Sequence, residues 1–185
     1  MVSRSSVLTA SITARSVVVE ASGVRFTIPP KNASSWILAL ASEDPITAVF
    51  PGLLSSEDYD TVIDMLADEL MEVTDIRSAS FKATSEASGM KWWEALRLVG
   101  MADSSDVMGS LTLKGVDPAA IPFGRWCSAV FALAISGLEE KERAKWESKL
   151  SFPPPLAEAM EEAAESGSFE DMVKGFRGMP GARLG

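Results

Sequence analysis

The sequence has 185 residues, of which 46% are hydrophobic and 23% are charged, a balance typical of a folded globular protein. Its formal net charge of −9 argues against binding to nucleic acid, because contact with a phosphate backbone needs clustered lysine and arginine. The chain has no histidine, which removes the commonest general acid–base group and the commonest metal ligand.

The first elements predicted along the chain are a lead-in and a β-hairpin. Residues 1–15 are rich in serine and threonine, and we expect them to form a flexible lead-in. The β-branched runs at 16–20 and 24–28, joined through Ala21-Ser22-Gly23, are typical of a hairpin. Because an isolated hairpin is only marginally stable, we expect it to pack on helices or to pair with another chain.

From Asn32 onward the pattern is helical. A first helix capped by Asn32 or Ser34 is predicted to reach Ala41, a short turn to hold 46–50, and Pro51-Gly52 to reverse the chain. A long helix preceded by Ser55-Ser56 is predicted to reach about Thr74, followed by a helix at 76–88. The long helix has apolar residues at helical spacing, which predicts one buried face: Tyr59, Val62, Ile63, Leu66, Leu70 and Val73.

The second half of the chain predicts three further helices. A helix with a tandem tryptophan covers about 90–107, and a loop follows in which Leu111 and Leu113 form a short extended piece. Asp117-Pro118 opens a central apolar helix that reaches about Ser136. A charged helix at 139–150 is anchored through Trp146 and Leu150.

Pro153-Pro154-Pro155 marks the clearest boundary, because consecutive prolines favour a stiff extended link. The expected organisation is a lead-in at 1–15, a hairpin plus helical domain at 16–152, and a flexible C-terminal extension at 153–185. Within the extension we expect short helices at 156–166 and 169–176 and a disordered tail. The predicted fold class is therefore mainly α.

The candidate chemistry is sparse. Asp60, Asp64 and Asp68 share one helix face, but a hard cation needs more converging oxygens than one stripe supplies. We interpret them as a solvated acidic face and expect no metal, no cofactor and no enzyme activity; a small enzyme with an unrecognised site is an alternative. Cys127 lies in an apolar run, which predicts a buried and inert thiol. We also expect no membrane partner, since no run approaches the roughly 18 apolar residues of a membrane span.

The tandem tryptophan is the most informative stretch. Neighbours on a helix point about 100° apart, so Trp92 and Trp93 reach one core only where helices cross. Core packing is one interpretation. The other is a protein-binding surface, where tryptophan is enriched, with Trp92, Trp93 and Leu96 as candidate contacts.

In its order of features the chain resembles the tail assembly chaperones of long-tailed bacteriophages, in the version found in phages of actinobacteria. The resemblance covers about residues 16–156 and begins with the hairpin and the first, tryptophan-led helix. The motifs that follow in order are Pro51-Gly52-Leu53-Leu54, Gly89 to Leu98 with the tandem tryptophan, Gly115-Val116-Asp117, the Trp126 helix and Leu150-Ser151-Phe152-Pro153-Pro154. The sequence departs from the family where Met90-Lys91 replaces the usual arginine after glycine.

The resemblance implies a protein without enzymatic activity that acts in the host cytoplasm. Such chaperones bind and solubilise the tape-measure protein, help recruit tail-tube subunits, and are absent from the mature virion. The family often makes a longer form by ribosomal frameshifting. The main alternative is a structural virion protein, such as a head–tail connector or a capsid or tail accessory subunit. A homo-oligomer is compatible with both.

Overall fold

A computed structural model describes residues 14–102 and 105–159, and in this part the chain is mainly helical with an N-terminal antiparallel hairpin, as predicted. The strands are β1 (Val17–Ala21) and β2 (Val24–Ile28). The helices are α1 (Ala33–Leu40), α2 (Pro45–Leu53), α3 (Ser56–Ala67), α4 (Val73–Ser88), α5 (Trp92–Ala102), α6 (Ser105–Leu113), α7 (Phe123–Ile135) and α8 (Glu140–Ser151). The chain is helical again at 155–159. The lead-in predicted at 1–15, except for its last two residues, and the segments predicted beyond 159 lie outside the described residues.

The hairpin is closed by a two-residue turn. Ser22 and Gly23 have φ of 49° and 74°, the left-handed pair that a type I′ turn requires. One face of the hairpin packs on α4, and the Ser22 hydroxyl donates a hydrogen bond of 2.8 Å to Asp75 Oδ2 at the start of that helix. The hairpin therefore gains its stability from the helices of its own chain. Its buried residues are Val17, Val19, Ala21, Phe26 and Ile28.

Helix α4 lies at the centre of the fold and contacts β1, α2, α5 and α7. Small side chains on its buried faces, such as Ala79 and Ala83, let the neighbouring elements approach closely. A second layer of the core is an aromatic stack in which the Phe123 ring lies between two indoles. Its centroid is 5.5 Å from the Trp36 ring and 6.1 Å from the Trp126 ring. One continuous apolar cluster thus runs from the hairpin to α8.

The helix predicted to open at Asp117-Pro118 begins later, at Phe123. Asp117 is a turn residue: its Oδ1 accepts the backbone N–H of Ala119 at 2.9 Å. The turn continues into Ile121, whose carbonyl accepts the N–H of Ala33 at 2.8 Å. The segment is held as a turn because its carbonyl group satisfies a free N–H at the start of α1.

The turn predicted at 46–52 was also wrong, because α2 runs through Pro51 as a single helix. Asp44 caps it by accepting the N–H of Thr47 at 3.3 Å. Next to the proline, the N–H of Phe50 donates to the buried Ser80 hydroxyl at 3.1 Å. Burial of Phe50 and this contact with α4 keep the segment helical although Pro51 cannot donate a hydrogen bond.

The long helix predicted to follow Ser55-Ser56 and to reach about Thr74 is interrupted after α3, and Val73 and Thr74 belong to α4. α3 ends at Ala67, and Glu69 takes a left-handed conformation with φ of 57°. The N–H of Leu70 then donates to the carbonyl of Met65 at 2.8 Å, which closes the helix end. After this turn the chain returns to the core, where Met71 is only 3% exposed.

The predicted burial of one face of this segment was wrong as well. Val62 is the only fully buried residue of α3. The other residues of the predicted apolar face are partly or largely exposed: Tyr59 at 43%, Ile63 at 44%, Leu70 at 65% and Val73 at 52%, with Leu66 half-buried.

The helix predicted for the tandem tryptophan to reach Val107 is described as α5 up to Ala102, residues 103 and 104 lie outside the described residues, and 105–107 belong to α6. Where a loop with an extended piece was predicted, the chain forms the helix α6. Leu111 is 1% exposed and fixes α6 against the core, while Gly109 lies in open space. Burial of Leu111 outweighs the weak helix propensity of the glycine. The charged helix anchored by Trp146 and Leu150 was predicted correctly: Leu150 is buried, and Trp146 packs edge-on against Phe131.

Candidate partner-binding groove at the tandem tryptophan

The start of α5 is set by a glycine and a carboxylate. Gly89, with φ of 69°, ends α4 in the left-handed conformation that favours glycine. Two residues later the N–H of Lys91 donates to Glu94 Oε2 at 3.2 Å, which is half of a capping box. The tandem tryptophan therefore occupies the first two positions of α5.

The two indoles are fixed by packing. Trp92 is partly exposed and stacks on the Phe81 ring, with centroids 3.9 Å apart and planes at 19°. Trp93 is 7% exposed and meets Trp92 edge-on at 5.7 Å, and the Lys91 ammonium lies 5.5 Å from its ring centroid. The core-packing interpretation therefore fits Trp93, which is largely buried. Trp92 keeps part of its surface accessible, as a contact on a binding surface requires.

An open groove of about 630 Å³ lies between α4, the start of α5 and the helical segment at 155–159. Aromatic rings from Phe81, Trp92 and Trp93 form its apolar part. Charged residues of both signs complete the lining: Glu20, Lys82, Glu86 and Lys91. The groove is therefore a fixed apolar surface with a mixed polar rim, the general form of a site that accepts an amphipathic helix.

The structure brings together two of the three residues predicted as partner contacts. Trp92 and Trp93 both line the groove, but Leu96 is half-buried and lines a separate, smaller pocket with Trp92 and residues of α2. The role of all three in binding stays a prediction. Phe81 was not identified from the sequence as part of this site. The signal for it was that Phe81 is the only aromatic residue in the alanine-rich α4.

Side chains of α5 hold the end of α8 in place. Arg97 Nη1 donates to the carbonyl oxygens of Lys149, Leu150 and Phe152 at 2.9, 2.7 and 2.6 Å. The Ser151 hydroxyl donates to Glu94 Oε1 at 2.9 Å. Because the last carbonyls of a helix have no partner within it, the guanidinium serves as the C-terminal cap of α8.

We expect Arg97→Ala to lower the free energy of unfolding by about 2–3 kcal/mol, because hydrogen bonds from a charged donor contribute more than neutral ones. Urea unfolding followed by circular dichroism measures the change. The matched control is Arg125→Ala on the exposed side of α7, expected to change stability by no more than about 0.5 kcal/mol. Equal effects of the two variants would contradict the capping role.

The other predicted chemistry can be located directly. Cys127 is fully buried, as predicted, and burial raises the pKa of its thiol far above the ordinary value, which keeps it protonated and unreactive. Asp60, Asp64 and Asp68 are exposed. Across 14–102 and 105–159, no three His, Cys, Asp or Glu side chains are grouped so as to hold a metal ion. Among the helices described, none has the length and hydropathy to span a membrane.

Comparisons of the chain with protein families, with curated proteins and with solved structures found no match.

Proposed function

We propose that this chain is a tail assembly chaperone of a long-tailed bacteriophage, without enzymatic activity, that binds apolar helical segments of the tape-measure protein in the host cytoplasm. The proposal rests on the family resemblance of residues 16–156. The observation that carries it is the groove in which Trp92, stacked on Phe81, offers a partly exposed aromatic surface.

Such a groove suits a long helical client. An amphipathic helix buries its apolar side chains against an aromatic floor, and its polar residues meet charges of both signs at the rim. The tandem tryptophan is held by ring stacking before any partner arrives, so little side-chain entropy is lost on binding. The net charge of −9 helps keep a complex with an apolar client in solution.

Co-expression with the tape-measure protein of the same genome tests the proposal. We expect the tape-measure protein to remain in the supernatant when the chain is present and to aggregate when it is absent, because exposed apolar helical surface drives association. Aggregation in both cases would contradict the proposal.

Mass spectrometry of purified virions separates the proposal from its main alternative. A chaperone leaves before the particle is complete, so peptides from 16–150 are expected only at trace level. Abundant peptides at a stoichiometry similar to that of a tail or head subunit would instead identify a structural virion protein.

A further inference from the structure

A second surface lies on α3, away from the tandem tryptophan. Tyr59, Ile63 and Ala67 follow one another at four-residue spacing and are all exposed, the first two at 43% and 44%. This spacing places them on one stripe of the helix. The stripe is apolar, and none of the residues at 14–102 and 105–159 buries it, whereas α3 is held to the rest of the fold mainly through α2 and the buried Val62.

The neighbouring stripe is acidic. Asp60, Asp64 and Asp68 follow the apolar stripe by one residue, so they lie about 100° further around the helix and are exposed to solvent. The surrounding sequence is acidic as well: the 45 residues from Asn32 to Ile76 contain ten carboxylates and no lysine or arginine. α3 thus presents an apolar row flanked by negative charge, which we call the α3 face.

We propose that the α3 face docks an amphipathic helix of another protein whose apolar stripe is flanked by lysine or arginine. Apolar side chains of such a helix cover Tyr59 and Ile63, and its basic residues pair with Asp60 and Asp64. Complementary charge favours this partner and disfavours an acidic one, because like charges across an interface are costly.

The test uses the full chain and a synthetic leucine–lysine peptide of about 20 residues, long enough to form a helix. Fluorescence anisotropy of the labelled peptide measures binding. Ile63→Lys is expected to weaken binding about tenfold, since it adds a positive charge and removes apolar contact. The control Leu113→Lys, at a side chain 91% exposed on α6, is expected to bind as the unaltered chain does. Equal loss in both variants, or no loss in either, would overturn the proposal.

The charge component is tested with Asp60→Asn/Asp64→Asn, which keeps the apolar row and makes the proposal testable even if Ile63→Lys folds poorly. We expect about threefold weaker binding and a smaller dependence on salt, because exposed ion pairs are screened. A leucine–glutamate peptide of the same length is expected not to bind. If it binds as tightly as the leucine–lysine peptide, charge does not select the partner and the proposal fails.

Other occupants of the α3 face give different results. Sedimentation velocity of the chain alone would reveal a dimer that Ile63→Lys converts to monomer if a second copy covers the face. Tighter peptide binding by Phe176→Ser, which removes an apolar side chain without changing the charge, would show that the chain's own C-terminal segment covers it. Either outcome overturns the proposal. Trp92→Ala is expected to leave peptide binding unchanged, which would show that the peptide binds the α3 face and not the groove.

Discussion

Replacement of Trp126 by alanine is expected to lower the free energy of unfolding by about 4 kcal/mol, as truncation of a buried tryptophan typically does. Trp126 is 0% exposed and forms the inner end of the stack with Phe123 and Trp36. Its removal leaves a cavity where α7 packs against the core. Urea unfolding followed by near-ultraviolet circular dichroism measures the loss, and an unchanged midpoint would contradict the central place given to α7.

Trp126→Phe is the informative partner variant. The indole N–H of Trp126 is buried and finds no acceptor among the described residues. A buried donor left unpaired costs about 1–3 kcal/mol, so a phenyl ring that removes the donor recovers part of the lost packing. We expect Trp126→Phe to lower stability by only about 1 kcal/mol.

Gly124→Val is expected to lower the free energy of unfolding by about 3 kcal/mol through overpacking. A Cβ at Gly124 would lie 3.1 Å from the carbonyl oxygens of both Ala87 and Ser88. These are backbone atoms at the end of α4, which cannot rotate away as a side chain does. The start of α7 would therefore be pushed off α4, and thermal or urea unfolding measures the effect.

The control for Gly124 is Gly100→Ala in α5. A Cβ there meets nothing within 4 Å, and alanine has the higher helix propensity. We expect it to raise the free energy of unfolding by about 0.5–1 kcal/mol. If Gly124→Val were tolerated as well as Gly100→Ala, the close approach of α7 to α4 would be refuted.

The elements that sequence predicted well carry their own local signals. The hairpin has β-branched strands and a Ser22-Gly23 turn, α1 has the Asn32 cap, and α4 ends at Gly89. In each case the residue that sets the boundary also has the conformational preference that the boundary needs. Local chemistry and tertiary structure agree there, and so the prediction succeeds.

The elements that were predicted wrongly depend on contacts distant in sequence. Helix α2 continues through Pro51 because Phe50 is buried against Ser80 of α4. The break after α3 falls at Glu69, which has no intrinsic preference for φ of 57°. Glu69 adopts this conformation because it directs the chain so that Met71 is buried in the core. Neither cause is visible in a window of neighbouring residues.

The candidate site also has features that the sequence predicts and features that depend on distant contacts. The tandem tryptophan was identifiable because two adjacent indoles are uncommon and large. The sequence did not show that Trp93 is largely buried and Trp92 partly exposed, because that difference depends on where Phe81 stacks. Leu96 was grouped with the pair because it lies nearby in the sequence, yet it lines a different pocket.

The most direct measurement of the proposed function is the affinity of the chain for its tape-measure protein with and without Trp92. By calorimetry or anisotropy with a helical fragment of that protein, Trp92→Ala is expected to weaken binding about tenfold, as loss of an aromatic anchor does. The control Leu38→Ala, at a side chain 77% exposed on α1, is expected to leave affinity unchanged. Unaltered affinity of a folded Trp92→Ala variant would contradict the assignment of the groove as the client-binding site.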